Sequence, residues 1–230
     1  MYFQHSSTVW QDFPALVPGV IHVKGITPDA VVDGPVAEFN ATAASRLSGT
    51  TEAQLPEVQA WRRAFSAMGL KPTQYRCASE ALLRRFRKEG SLPRIHPLID
   101  LCNAVSLAYG IPVAALDLSR VSGNLEVRYA EGDEAYETFA GDIERPDTRE
   151  VVFVDDERRA HARRWTNRQS GYSAVREATS DVLIVSEALH DCAYEDMTRL
   201  VTSLTQALRT VWPVTPTSAV LGPSAPRFTC

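Results

Sequence analysis

The stretch RRWTNRQSGYSAVREAT, residues 163–179, sets four arginines, a tryptophan and an Asn–Arg–Gln–Ser run against the single carboxylate of Glu177. Solvated loops usually mix Lys, Glu, Gly and Pro, and core strands are apolar; this stretch has neither character. Guanidinium and amide donors grouped around an aromatic ring suit a ligand that is polar and planar, or anionic. Charge is also concentrated in residues 62–94. There Arg62, Arg63, Lys71, Arg76, Arg84, Arg85, Arg87, Lys88 and Arg94 stand against only Glu80 and Glu89, a local +7 in a chain whose net charge is −4. An acidic body with one basic zone suits a polyanion held at one place.

Covalent and metal chemistry find little support. Cys77, Cys102, Cys192 and Cys230 form no CxxC pair and no histidine stands at ligand spacing from one, so neither a zinc site nor a disulfide framework is expected. His190 and Cys192 are close in ALHDCAYED, but no sharp turn or orienting partner accompanies them. No GxSxG, HExxH, Walker loop or GxGxxG occurs, and no cofactor is expected. An enzyme made from this chain is expected to act on water from a pre-arranged polar pocket.

The elements that must carry these residues follow from length and pattern. The 230 residues, 44% hydrophobic and 23% charged, have an ordinary globular composition and are expected to form one domain over 1–230. Apolar runs such as VVFV and DVLIVSEAL fall short of the roughly 20 residues a membrane helix needs. The opening MYFQHSSTVW lacks a signal-peptide pattern, so a cytoplasmic protein without a membrane partner is expected. Two helices are expected between Val36 and Gly69, broken near Ser48–Gly49–Thr50, with Trp61, Phe65 and Met68 on the apolar face of the second. Residues 76–89 read as a helix whose stripe of Ala78, Leu82, Leu83 and Phe86 is buried, leaving Arg76, Glu80, Arg84 and Arg87 on the other side. A helix over 96–109 closes at Gly110. Strands are expected in GVIHVKGI, IPVAALDLSRV, NLEVRYAEG, EVVFVDD and DVLIVSEAL, then a helix over 196–211 and an extended or frayed tail over 213–230. Helices at both ends of a strand-rich middle give an α+β class: a mixed or antiparallel sheet core with flanking helices.

The segment HPLIDLCNAVSLAYGIPVAALDLSRVSGNLEVRYAEGDE resembles the B3/B4 editing domain of the beta subunit of bacterial phenylalanyl-tRNA synthetase, with Asp100, Asn103, Gly110, Pro112, Asp117, Gly123 and Arg128 matching in order. Ser173, Val175 and Thr179 extend the resemblance, which covers about residues 60–190. The family's histidine falls at Ala114, its phenylalanine at Leu116, and its Gly-Gly at Gln169–Ser170. Arg163, Arg164, Trp165, Arg168 and Ser170 resemble the Arg-Arg-Trp-x-x-Arg-x-Ser stretch of free-standing relatives, with Asn167 where many of these carry a second Trp.

The resemblance implies a hydrolase that acts in trans on the ester of a mischarged tRNA, with the tRNA acceptor end as partner. Some free-standing relatives hydrolyse canavanyl-tRNA(Arg), the preferred substrate here; another mischarged tRNA, or a non-catalytic RNA-binding module, are the alternatives. Asn103, Arg164, Arg168 and Gln169 would supply the catalytic donors. Tyr75, Arg76, Ser79, Glu80, Asp100, Asp117, Trp165, Asn167 and Ser170 would bind substrate, with Glu80, Asp100 and Asp117 the carboxylates available to a guanidinooxy group. Arg84, Arg85, Arg87 and Lys88 would meet tRNA phosphates. Each has a structural alternative: Asn103 as a cap, Trp165 as core, Asp117 as a turn anchor, Glu80 as a local partner of Arg84. The sequence sets no oligomeric state.

Overall fold

The computed structural model describes residues 1–230. In chain order its elements are β1 (Tyr2–His5), α1 (Ser7–Asp12), β2 (Val17–Lys24), α2 (Asp33–Leu47), α3 (Pro56–Ala67), α4 (Ala78–Glu89), α5 (Pro97–Tyr109), β3 (Val113–Asp117), β4 (Leu125–Tyr129), β5 (Tyr136–Glu137), β6 (Ile143–Glu144), β7 (Val151–Asp155), β8 (Ala160–Arg163), β9 (Arg168–Gln169), β10 (Asp181–Ala188), α6 (Ala193–Val211), β11 (Thr217–Val220) and β12 (Arg227–Thr229). The class is α+β. A six-stranded sheet runs β12-β1-β4-β7-β8-β9, a four-stranded sheet runs β11-β2-β10-β3, and β5-β6 form a separate hairpin. Pairing is antiparallel except between β1 and β4.

The apolar run of β10 reads as a strand covered on both faces, and the packing explains why. Leu183 and Val185 point into a core shared with Phe3, Phe13, Trp61, Phe65 and Phe153, between the two sheets. Val182, Ile184 and Ala188 point the other way, onto Leu101 and Val105 of α5 and Met197, Leu200 and Leu204 of α6. The period of two along one strand thus sorts side chains into two cores. α5 starts with Pro97 in its first turn, where a missing N–H costs nothing, and ends at Gly110 in the left-handed region. No helix is long and apolar enough to cross a membrane.

Several boundaries differ from the sequence reading. The strand expected over 111–121 stops at Asp117, because its carboxylate accepts from the Ser119 N–H at 2.9 Å and turns the chain into a 3-10 segment over Leu118–Arg120. The helix expected from residue 76 begins at Ala78. The tail is not frayed: β11 pairs with β2 and β12 with β1, so the last residues complete both sheets. Ends of such short strands carry no periodic signal of their own; the partner strand, some two hundred residues distant, decides them.

Candidate functional site

The hairpin β8–β9 is registered by Ala162 opposite Gln169 and Arg163 opposite Arg168. Its connecting loop holds two consecutive non-glycine residues in the left-handed region, Arg164 at φ 49° and Trp165 at φ 57°. Side chains avoid this conformation at a cost of roughly 1–2 kcal/mol each, so surrounding contacts must over-determine it. They do. The Trp165 N–H donates to the Val151 carbonyl at 2.7 Å, and the indole packs edge-on against Phe13 and Trp61, with centroids 4.8 and 5.0 Å away. Its Nε1–H donates to Glu187 Oε1 at 2.7 Å. The loop is also tied to the start of α4: Ala78 N–H donates to the Thr166 carbonyl at 2.8 Å, and Asn167 Nδ2 to the Arg76 carbonyl at 2.7 Å.

Between this loop, β3 and β10 lies a cavity. Its walls are Pro112, Val113, Ala114, Phe153, Ala162 and Val185, and its polar groups come from Thr166, Asn167, Arg168, Gln169 and Glu187. Gln169 is held in place by its Nε2 donating to the Ala115 carbonyl at 2.7 Å. Arg168 is exposed at the rim, its closest carboxylate being Glu144 at 3.8 Å. Glu187 is 2% exposed, and its Oε1 also receives a bond from His5 at 2.6 Å. A carboxylate this deep is costly unless hydrogen-bonded, and one of its oxygens is doubly bonded in this way.

The structure separates residues that the sequence reading placed together. Arg168, Gln169 and Asn167 share the cavity, and Trp165 contributes to its wall. Arg164 does not line it. Its guanidinium stacks on Tyr75 at 4.7 Å and approaches Glu150 at 3.3 Å, in a neighbouring cleft with Arg145, Arg149 and Arg163. Asn103 lies in another cavity with Asp100, Arg94 and Asn40, between α2 and α5. Trp165 is wholly buried and offers no face for a base to stack on.

The three carboxylates expected to receive a guanidinooxy group are also otherwise engaged. Glu80 is buried against Arg62 at 2.6 Å and Arg76 at 3.4 Å, not paired with Arg84. Asp117 accepts from Ser119 and, at 2.7 Å, from Thr179 Oγ1. Asp100 accepts from the Ile95 N–H at 2.9 Å. Two hydroxyls are structural as well. Ser79 is buried beside Cys77, 3.4 Å from its sulfur, and Ser170 donates to the Glu137 carbonyl at 2.8 Å. Of the basic set on α4, Arg85 pairs with Glu89 and Arg87 with Glu52, while Arg84 and Lys88 are exposed and unpaired.

Burial pushes the Cys77 thiol up to about 11 and that of Cys102 up to about 12, which leaves both inert as nucleophiles. Burial alone would lower Arg163, but ion pairing with Glu150 and Glu144 outweighs it and raises its pKa, fixing a permanent charge behind the hairpin. Glu57, His190 and Asp196 come within ligand distance of one another, but Arg46 already pairs with Glu57 and Arg199 with Asp196.

Sequence reasoning missed Glu187 and Thr166. The signal for Glu187 was present: the single carboxylate in the otherwise apolar and small run VLIVSEAL, residues 182–189, must either face water or meet a donor.

Comparison with known proteins places this geometry in a family. Residues 60–209 match the model of the B3/4 domain. The phenylalanine–tRNA ligase beta subunit of Photorhabdus laumondii is 29% identical over 179 residues, 76% of this chain and 21% of that protein. The corresponding subunits of Coxiella burnetii and Nocardia farcinica are 34% and 38% identical over 105 residues, 46% and 45% of this chain. The chain thus spans about a fifth or less of the length of these curated relatives. A crystal structure of an N-terminal fragment of the phenylalanyl-tRNA synthetase beta subunit from Pyrococcus horikoshii shares the fold, with a TM-score of 0.50 and 9% identity over 95% of this chain and 53% of that one. Since the family model covers well over half of its residues, the chain belongs to the B3/4 domain family.

Proposed function

We propose that this chain hydrolyses the ester linking a wrong amino acid to the terminal adenosine of tRNA, acting in trans. The observation that carries the reading is the cavity beside the β8–β9 hairpin, in which an exposed guanidinium and two amides stand over apolar walls on a loop that neighbouring elements hold rigid. Water adds to the ester carbonyl, the bond from that carbon to the ribose oxygen breaks, and the ribose oxygen takes up a proton. The products are a free amino acid and a tRNA with both terminal hydroxyls. Negative charge develops on the carbonyl oxygen during addition, and Arg168 and Asn167 are donors suited to stabilise it. An aminoacyl ester is already activated, so orientation and one or two donors are sufficient. None of the five histidines lines the cavity, and the position of the family's histidine is held by Ala114. The vicinal ribose hydroxyl of the substrate therefore takes the place of a protein base.

The amino acid released is, in this reading, canavanine from tRNA(Arg), recognised by its guanidinooxy side chain. Glu187 supports it: a buried carboxylate in the cavity wall offers a charged acceptor to a guanidinium-like group. It replaces Glu80, Asp100 and Asp117 in that role.

Arg168→Ala tests the reading against a binding module. Turnover of canavanyl-tRNA(Arg) is expected to fall about 100-fold while tRNA affinity changes less than about threefold, as befits a donor used in the transition state. Equal losses in both would assign Arg168 to RNA binding. Salt dependence checks the basic zone. Neutralising Arg84 and Lys88 should flatten the slope of log affinity against log salt by about 2, whereas Arg85→Gln with Arg87→Gln should change it less because both are already paired.

A further inference from the structure

A second concavity adjoins the cavity and shares Arg168 and Gln169 with it. Its other wall is the β5–β6 hairpin, which carries Phe139 at 73% exposure, more than any other aromatic residue of the chain, and Ile143 at 59%. What singles Phe139 out is its place: a largely free aromatic face on the wall of a concavity continuous with the cavity.

The hairpin is fixed. Its turn is closed by the Thr138 N–H donating to the Asp142 carbonyl at 2.8 Å, and Thr138 Oγ1 accepts from the Ala140 and Asp142 N–H groups, each at 3.2 Å. Its base is clamped to the β8–β9 segment, where Ser170 Oγ and the Gly171 N–H both donate to the Glu137 carbonyl, at 2.8 and 3.0 Å, and Tyr136 donates to the Gln169 carbonyl at 2.9 Å. Gly171 permits this contact, since a Cβ there would lie 2.8 Å from the Thr138 carbonyl oxygen and 3.0 Å from the Phe139 Cα. The Phe139 backbone is therefore fixed against the β8–β9 segment before anything binds, and that part of the ordering cost is already met in folding.

We infer that Phe139 is the stacking platform for the unpaired terminal base of an RNA whose 3′ end enters the cavity. The inference rests on the reading of the cavity as the site of the aminoacyl ester. The group covalently attached beyond that ester is a nucleoside, and the cleft continuous with the cavity is where it must lie. Stacking on an aromatic face is the usual way a protein holds an unpaired base, and Trp165 is too deeply buried to do it. Arg168 lines both concavities, so the ester carbonyl that it faces and the base beyond that ester fall in adjoining spaces. Asp142, on the same wall, is an acceptor suited to an exocyclic amine of a base.

The test is equilibrium binding, which needs no hydrolysis. The probe is a 5′-fluorescein RNA hairpin ending in an unpaired ACCA, with the same hairpin made blunt as control, measured by fluorescence anisotropy with the whole chain. Wild type should bind the overhang RNA about tenfold more tightly than the blunt one. Phe139→Ala should abolish that preference, and Phe139→Trp should keep it, both with unchanged melting temperature, because one stacked base commonly contributes about tenfold in affinity or more. A Phe139→Ala protein that keeps the full preference overturns the inference, as does a wild type indifferent to the overhang. So does a wild-type dimer in solution that Phe139→Ala converts to monomer, since that would assign the residue to contact between copies. Loss of the preference in Phe139→Ala, with no mischarged tRNA hydrolysed by wild type, leaves the base platform standing and removes the deacylase reading. Hydrolysis with an indifferent Phe139→Ala does the reverse.

Discussion

Glu187→Gln should lower kcat/KM for canavanyl-tRNA(Arg) about 100-fold, equivalent to about 2.7 kcal/mol of transition-state stabilisation, while leaving the fold intact. The carboxylate is 2% exposed and lines the cavity, and a charge-assisted pair formed in so dry a place is worth far more than one in water. Glutamine keeps the shape and an oxygen able to accept from His5 Nε2 and Trp165 Nε1, which now donate at 2.6 and 2.7 Å, so stability is nearly preserved. Glu187→Ala should behave differently. It strands two buried donors and is expected to destabilise the protein by about 2–5 kcal/mol in denaturant unfolding. If Glu187→Gln turns over canavanyl-tRNA(Arg) at the wild-type rate, the carboxylate serves the core alone and the substrate assignment falls.

The substrate's own hydroxyl should matter as much as any side chain. With tRNA ending in 2′-deoxyadenosine and carrying the amino acid on its 3′ oxygen, the rate should fall by about 100-fold or more, the loss commonly seen when one well-placed group is removed from a hydrolytic site. Histidine variants should stay within about threefold of wild type. Each histidine has a structural partner away from the reacting bond: His22 pairs with Asp181, His161 with Asp155 and His190 with Asp196, and His96 caps α5 by accepting from the Leu98 N–H. His5 holds Glu187, so His5→Gln is the variant of choice there. A single dead but folded histidine variant, with the deoxy substrate reacting normally, would assign the chemistry to an imidazole base.

The legible parts of this chain were those in which local pattern and tertiary demand agree. α5 carried Pro97 at its start and Gly110 at its end, and β10 was an apolar run of strand length; both were read within a residue or two of their limits. The short strands β1, β11 and β12 are not legible, because three or four residues carry too little periodicity and their order comes from a distant partner.

The site divides in the same way. Asn167, Arg168 and Gln169 converge because a hairpin puts neighbours in sequence beside one cavity. Arg164, four residues before Arg168, leaves it because the left-handed backbone at 164–165 turns Trp165 inward to the core and sets Arg164 over Tyr75. Asn103 was matched by order along the chain, but spacing on a helix fixes which residues share a face and not which neighbour that face meets. It meets α2. Glu187 depends on His5, 182 residues away in sequence, a pairing no local pattern reports.

Hydrolysis is tested most directly by incubating the purified chain with a panel of tRNAs charged with canavanine, arginine, tyrosine and other amino acids. Canavanyl-tRNA(Arg) should lose its amino acid many times faster than in buffer, arginyl-tRNA(Arg) should be spared, and Arg168→Ala and Glu187→Gln should each abolish most of the difference. Folded protein that binds these tRNAs and leaves every ester decaying at the buffer rate would contradict the claim and make the chain an RNA-binding module.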